Sequence, residues 1–219
     1  MKLSSVLRQR PLFFSICILF FGFGGLVLAQ IRQGDGIIFF SEHRQPFWDA
    51  FFKVATRLAE EPVFALALVI YLFYRFRFAI MLPLLGITVT LVASGLKFTF
   101  KEFRPAKWFE LNRPDVVLNF VEGIEPYRAA TSFPSGHSMA GFALFTFLCL
   151  STPRKAGLQV VFALLAIGVA VSRIYLVQHF LQDIVIGGMI GLLLGAFWYW
   201  LTIRMNGNKY QWLDKRLQV

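Results

Sequence analysis

The chain has 219 residues, of which 57% are hydrophobic and 26 are phenylalanine, and its mean hydropathy of +0.63 excludes an ordinary soluble domain. The formal net charge of +10 has two readings, a nucleic-acid footprint or membrane topology, and the placement of the charges decides between them. A helical crossing of the bilayer core takes about 20 apolar residues, because unsatisfied backbone groups are too costly in lipid.

Six apolar runs reach or approach that length, near 11–31, 62–76, 78–97, 136–152, 156–175 and 180–203. The expected fold is therefore all-α: a polytopic membrane protein of six transmembrane helices, with a short interfacial helix and an outer loop that carries part of the active site. No internal repeat or low-complexity tract interrupts the pattern. The first run follows Lys2, Arg8 and Arg10 and ends at Leu28-Ala29-Gln30, features shared with a secretory signal. Its apolar stretch of about 19 residues exceeds a signal h-region of roughly 7 to 15, so an uncleaved anchor is expected and the mature N-terminus tests it.

Between the first two runs, Phe47, Trp48, Phe51, Phe52, Ala55, Leu58 and Ala59 recur at helical spacing, with Asp49, Lys53, Arg57 and Glu60 between them. That pattern predicts a short helix in the membrane interface, or equally one packed over the bundle, walling one side of the outer face. Pro62 suits a first helical position, and Arg75 with Arg77 leaves almost no loop before the third run, which predicts a tight helical hairpin.

Lys97 closes the third run and Arg104-Pro105 follows seven residues on, near Phe103, Trp108 and Phe109. A terminal Lys is commonly a snorkelling anchor, while a guanidinium matches phosphate oxygens bidentately. Lys101, Lys107, Arg113 and Arg128 alternate with Glu102, Glu110, Asp115, Glu122 and Glu125 as a solvated loop face, from which Arg128 stands out as the candidate for a lipid head-group contact. Ser132-Phe133-Pro134-Ser135-Gly136-His137-Ser138 then opens the fourth run. The simplest use of these residues is a Ser cap with a Pro stop; the other is an anion site, where free N–H groups and the helix dipole face a ligand, Gly136 lets it approach and Ser135 donates a hydroxyl. A plain cap leaves His137 unexplained, since an idle histidine at a membrane helix is costly.

Ser172 and Arg173 end the fifth run, the chain turns through Val177 and Gln178, and His179 with Asp183 opens the sixth. A spacing of four sets His179 and Asp183 on one helix face, so the carboxylate can hold one ring nitrogen as N–H and leave the other as a nucleophile; a structural pair is the plainer alternative. Trp198, Tyr199 and Trp200 suit an interfacial belt. Cys17 and Cys149 both fall inside apolar runs, so neither a disulfide framework nor a metal pair is visible.

With six spans and an inside start, Lys2, Arg8, Arg10, Arg75, Arg77, Arg154, Lys155, Arg204, Lys209, Lys215 and Arg216 share one side with a single acid, Asp214. The other side then holds eleven basic and eleven acidic residues, so the whole excess of +10 lies on one face. The charge is topology. Both termini are expected in the cytoplasm, and Lys97, Arg104, His137, Arg173 and His179 at the opposite, outer face.

Lys-x6-Arg-Pro, Pro-Ser-Gly-His and Ser-Arg-x5-His-x3-Asp occur complete and in that order, a pattern that resembles the type-2 phosphatidic acid phosphatase superfamily, membrane lipid phosphatases related to vanadium-dependent haloperoxidases. The resemblance covers roughly residues 45–200 and shows no departure at the functional positions; it implies one integral membrane phosphatase domain over 1–219. It also implies that His179 attacks phosphorus to form a phosphohistidine, that Asp183 orients it, and that His137 protonates the leaving oxygen and later activates water. Lys97, Arg104, Ser135, the Gly136 N–H and Arg173 would bind the phosphoryl oxygens. Because three cations can stand where Mg²⁺ often does, metal-independent activity is expected, with no cofactor, no metal, no nucleic acid and no obligate protein partner.

The implied reaction removes phosphate from a phosphomonoester or diphosphate of a membrane lipid, at the outer leaflet of a bacterial cytoplasmic membrane. Undecaprenyl diphosphate, lipid A, phosphatidylglycerol phosphate and phosphatidate remain open as substrates. Members that resemble dedicated undecaprenyl diphosphatases often carry Asp where Gly136 stands, which tilts the expectation toward another envelope lipid. A phosphotransferase using the same phosphohistidine is an alternative, and a non-catalytic lipid transporter, which should have lost His179 or His137, is a second.

Overall fold

The structure, a computed structural model, describes residues 3–205 and 208–218; Lys2 and the side chain of Lys209, both counted above, lie outside the described residues. These residues are all helical or irregular, with ten α-helices: α1 (Leu3–Leu7), α2 (Pro11–Leu28), α3 (Asp35–Glu42), α4 (Pro46–Arg57), α5 (Glu61–Tyr74), α6 (Phe76–Phe100), α7 (Pro105–Asn112), α8 (Gly136–Ser151), α9 (Ala156–Tyr175) and α10 (Leu181–Arg204). A 3-10 helix follows at Asn208–Asp214.

Prolines set several starts, since Pro11, Pro46 and Pro105 are the first residues of α2, α4 and α7 and Pro62 the second of α5, where no N–H is needed. Four of the expected spans, α2, α6, α9 and α10, are long and apolar enough to cross a membrane, and α5 and α8 are shorter apolar helices of 14 and 16 residues. The apolar stretch from Phe76 to Asn112 is two helices, because Lys101 takes a left-handed conformation (φ 50°) and turns the chain after α6. The hairpin of α5 and α6 turns on Arg75 alone, in extended backbone.

Helix α8 is the axis of the bundle. Met139, Phe142, Ala143, Leu144 and Phe147 are all fully buried, against α10 on one side and α9 and α6 on the others. Three glycines of α10 make the tightest contact. A Cβ at Gly187 would stand 2.5 Å from the Ser135 carbonyl oxygen and one at Gly195 2.5 Å from that of Ala143, while one at Gly191 would strike the Met139 carbonyl. The spacing of four lays α10 directly on the α8 backbone, the mode that small residues permit between apolar helices. Ser135 N–H donates to the Asp183 carbonyl at 3.0 Å, tying the two helix starts together.

Helix α4 packs over the bundle with one face. Phe52 and Ala55 bury against Tyr175 of α9, and Phe47, Phe51 and Val54 remain exposed on the other face. At the opposite end of the bundle, buried Arg10 donates to the Cys149, Leu150 and Thr152 carbonyls at 2.9, 3.1 and 2.5 Å. Arg77 likewise reaches the Thr202 carbonyl at 3.3 Å and Asp214 at 2.6 Å. Two of the cations counted toward topology thus cap the C-termini of α8 and α10, where orphan carbonyls and the dipole favour positive charge. Tyr199 belongs to the core beside Phe78 and Phe147 rather than to an aromatic belt, because it faces α6 and α8. Cys17 and Cys149 are buried and unbridged.

Gly191→Leu is expected to cost about 1–3 kcal/mol or more by overpacking. It should lower the thermal unfolding midpoint in detergent, whereas Gly25→Ala, with nothing within 4 Å of its added methyl, should leave the midpoint unchanged. Equal midpoints for the two variants would remove the α8–α10 contact as a stability determinant.

Candidate active site

The end of α6, the start of α8 and the turn between α9 and α10 converge on one end of the bundle. That turn is a Schellman motif: Gln178 N–H donates to the Arg173 carbonyl at 2.8 Å and Val177 N–H to that of Ile174 at 3.0 Å. Val177 sits at φ 57°, where glycine is usual, so a branched residue is held in a strained conformation by its burial. The tight reversal brings His179 N–H to 3.1 Å from the Arg173 carbonyl.

His179 is buried, and its Nδ1 faces Asp183 Oδ2 at 3.3 Å. The same carboxylate oxygen accepts from Ser132 Oγ at 2.5 Å and from Phe180 N–H at 3.0 Å. Asp183 therefore caps the start of α10 as well as orienting the imidazole, and with Nδ1 occupied, Nε2 is the ring nitrogen left to react. Burial, and then the charges of Arg104, Arg173 and Lys97, hold the His179 pKa well below 6.5. The ring stays neutral, with a lone pair available, wherever the pH exceeds that value.

The three cations arrive from three elements. Lys97, in the last turn of α6, brings Nζ to 3.5 Å from the point a Cβ on Gly136 would occupy. Arg104 is buried, donates from Nε to Thr131 Oγ1 and from Nη1 to Gln178 Oε1, both at 3.2 Å, and stacks 5.0 Å over the Tyr127 ring. Arg173 is 6% exposed and donates from Nη1 to Thr56 Oγ1 at 2.5 Å, while its buried Nε has no hydrogen-bond partner among the described residues. A buried guanidinium with an idle donor suits an anion bound beside it.

Ser135 is the N-cap of α8, and its Oγ accepts from Ser138 N–H at 3.3 Å and from Ser138 Oγ at 2.9 Å. It serves as the plain cap, and its own hydroxyl proton remains for a ligand. The methyl position of Gly136 faces Lys97, so a side chain there would intrude where the oxyanion is expected. His137 is half-buried, within electrostatic reach of Lys97, Arg104, Arg173 and His179, and its Nε2 lies 3.7 Å from Glu60 Oε1. All eight residues read as catalytic or phosphate-binding are thus assembled at one end of the bundle. Arg128 is apart from them: it is ion-paired with Glu110 of α7 and exposed, beside a cavity of about 280 Å³ lined by Phe109, Arg113 and Pro114.

The PAP2 superfamily family model matches residues 78–206, more than half of the chain and the whole run from α6 to the end of α10. The chain belongs to the PAP2 superfamily. Among PAP2-related proteins, it is 28% identical over 164 residues to a lipid A 4'-phosphatase of Porphyromonas gingivalis, covering 71% of this chain and 66% of that protein. It is 33% identical over 96 residues to phosphatidylglycerophosphatase B of Bacillus subtilis, covering 40% of this chain and 44% of that one. The chain therefore spans less than two thirds of the curated relatives it matches. The fold matches the crystal structure of Aquifex aeolicus LpxE with a TM-score of 0.64 at 24% identity, over 81% of this chain and 98% of that one. It also matches a transmembrane PAP2-type phosphatidylglycerolphosphate phosphatase from Bacillus subtilis, with a TM-score of 0.62 at 23% identity over 88% and 96%. With its apolar helices, PAP2 membership makes this a membrane protein.

Sequence reasoning gave no role to Thr56, Glu60, Thr131 or Gln178, and quoted Ser132 only as the start of a motif. Each touches one of the assigned residues. Glu60 carried a usable signal, being an acid just before Pro62 at a helix start that shares the outer end with the motifs. Ser132→Ala removes a hydrogen bond to a buried carboxylate, so a stability loss of about 1.5–3 kcal/mol is expected. It is read as a lower unfolding midpoint, and an unchanged midpoint would show that Asp183 does not depend on that bond.

Proposed function

We propose that the protein is a lipid phosphatase that works through a phosphohistidine on His179. The observation that carries this reading is the setting of His179: one ring nitrogen faces a buried carboxylate, and Arg104, Arg173 and Lys97 bear on a ring kept neutral. Phosphoryl transfer spreads negative charge over peripheral oxygens, so prearranged cations and N–H donors stabilise it, and a covalent intermediate divides one hard displacement into two. Lys97, Arg104, Arg173, the Ser135 hydroxyl and the Gly136 N–H bind the phosphoryl oxygens. His137 donates a proton to the leaving oxygen and then takes one from the attacking water, a role commonly worth about 10²- to 10⁴-fold.

The lipid is accommodated in the groove of about 410 Å³ that Phe64, Pro83, Gly86, Ile87, Leu91 and Ala140 line between α5, α6 and α8. Ala140 lies one turn below His137, so a tail in the groove sets its head group at the site. α5 and α8 complete a six-span bundle in this reading, with both termini in the cytoplasm and the site at the outer face, as the one-sided basic charge requires. An envelope lipid phosphate is the favoured substrate class, because the names of the relatives point to lipid A and phosphatidylglycerol phosphate.

The test is phosphate release by detergent-purified protein from lipid A, phosphatidylglycerol phosphate, phosphatidate and undecaprenyl diphosphate in EDTA, with His179→Ala alongside. Release from one lipid that vanishes in the variant is expected. Full loss in EDTA restored by Mg²⁺ would count against the three cations as sole electrophiles, and equal release by the variant would remove His179 as the nucleophile. Because the His179 pKa is depressed, the acid limb of kcat/KM, corrected for substrate ionisation, is expected below pH 6.5. A limb at or above that value would contradict the neutral, cation-ringed imidazole.

A further inference from the structure

His137 has a partner outside the three motifs. Glu60 lies in the turn between α4 and α5, and its Oε1 stands 3.7 Å from His137 Nε2. The other groups that face His137 are Lys97 from α6, Arg104 from the turn before α7, Arg173 from α9 and His179 from the turn before α10. Each is a cation or can become one. Asp183 of α10 is engaged with the other histidine: its Oδ2 faces His179 and accepts from Ser132 and Phe180. An acid set among cations loses its proton readily unless an anion stands beside it.

The helix does not use the Glu60 carboxylate. Glu60 occupies the N-cap position of α5 yet makes no side-chain cap hydrogen bond, and Glu61 supplies the acid of the first turn. Thr56, one turn earlier, reaches Arg173 from the same corner. The corner between α4 and α5 thus contacts two of the assigned residues, although it lies well upstream of Lys97.

We propose that Glu60 is a positioning residue whose carboxylate, 3.7 Å from His137 Nε2, orients the imidazole and favours its charged form, so that the Nδ1 proton can pass to the leaving lipid oxygen. The proposal rests on the phosphatase reading above. In the first step the P–O bond to the lipid breaks, the His179 Nε2–P bond forms, and the proton moves from His137 Nδ1 to the departing oxygen. In the second, water attacks phosphorus, gives its proton to His137, and the P–N bond breaks, which restores both histidines.

The test compares Glu60→Gln with wild type on two substrates, the preferred lipid phosphomonoester and p-nitrophenyl phosphate, whose leaving group departs without a proton. The quantity compared is kcat/KM across pH, because it reports only the step that releases the leaving group. For the lipid, a loss of about tenfold or more at neutral pH is expected, against less than about threefold for the aryl substrate. The alkaline limb for the lipid should also move to lower pH, and Glu60→Asp, which keeps the charge, should restore part of both. Equal loss on the two substrates with an unmoved limb would reduce Glu60 to a structural residue, and no loss on either would give it no role. Either result overturns the pairing while leaving His179-dependent release by the wild type intact. Wild type without such release would overturn the phosphatase reading, and the pairing with it.

Discussion

The backbone contact between α8 and α10 is the constraint on which the rest depends. Gly187, Gly191 and Gly195 allow α10 to lie on the carbonyls of Ser135, Met139 and Ala143, where any side chain would collide. Helices in lipid gain little from burying apolar surface against each other, so close backbone approach and the dispersion it brings carry more of the association than in water. The contact also has a chemical consequence. It sets the N-terminus that begins with Gly136 beside the one that carries Asp183, and the Ser135-to-Asp183 hydrogen bond fixes their register. The Pro-Ser-Gly-His and His-x3-Asp motifs, far apart in sequence, become two halves of one pocket because α10 has no side chains along that face.

Charge is distributed to match. Two cations at one end of the bundle, Arg10 and Arg77, are consumed by the C-terminal carbonyls of α8 and α10. At the other end, Lys97 and Arg173 stand in the last turns of α6 and α9, where the dipole favours a cation, Arg104 stands just before α7, and all three bear on His179. Burying such a group is unfavourable unless it is paired, and Arg173 keeps an unpartnered buried Nε. The arrangement is intelligible as a site stabilised by an anion that arrives with the substrate. Burial, and then the same excess of positive charge, keeps His179 neutral. Each of the two histidines has its own carboxylate within reach: Asp183, buried and hydrogen-bonded, beside His179, and Glu60, half-exposed, beside His137.

Much of this was legible in the sequence, and the parts that were not have identifiable causes. The long apolar runs became helices within a few residues of their expected ends, because proline starts and charged stops mark them. Helices α3 and α7 went unread: each has eight residues and too little periodicity to separate it from a loop. The eight motif residues came together because each motif ends or begins a helix. Apart from Glu60, the supporting residues are ordinary threonine, serine and glutamine, with nothing in their local pattern to distinguish them from solvated polar positions. Val177 gave no sign at all, since the left-handed turn that delivers His179 is normally announced by glycine. Arg128, singled out by its place before the Pro-Ser-Gly-His turn, is exposed and pairs with Glu110, a contact set by the path of the loop around α7.

The corner between α4 and α5 links these observations. Helix α4 packs one face on Tyr175 and exposes Phe47, Phe51 and Val54 on the other, an apolar surface that is unfavourable in water and suited to the membrane interface. The end of the same helix carries Thr56 to Arg173, and the following turn carries Glu60 to His137. Packing α4 against α9 therefore also sets Thr56 beside Arg173 and Glu60 beside His137. Two residues of the sequence signature, Arg173 and His137, thus have partners on an amphipathic helix and turn upstream of it. In the phosphatase reading, an α4 seated in the membrane interface ties the polar chemistry to the depth at which a lipid head group is presented.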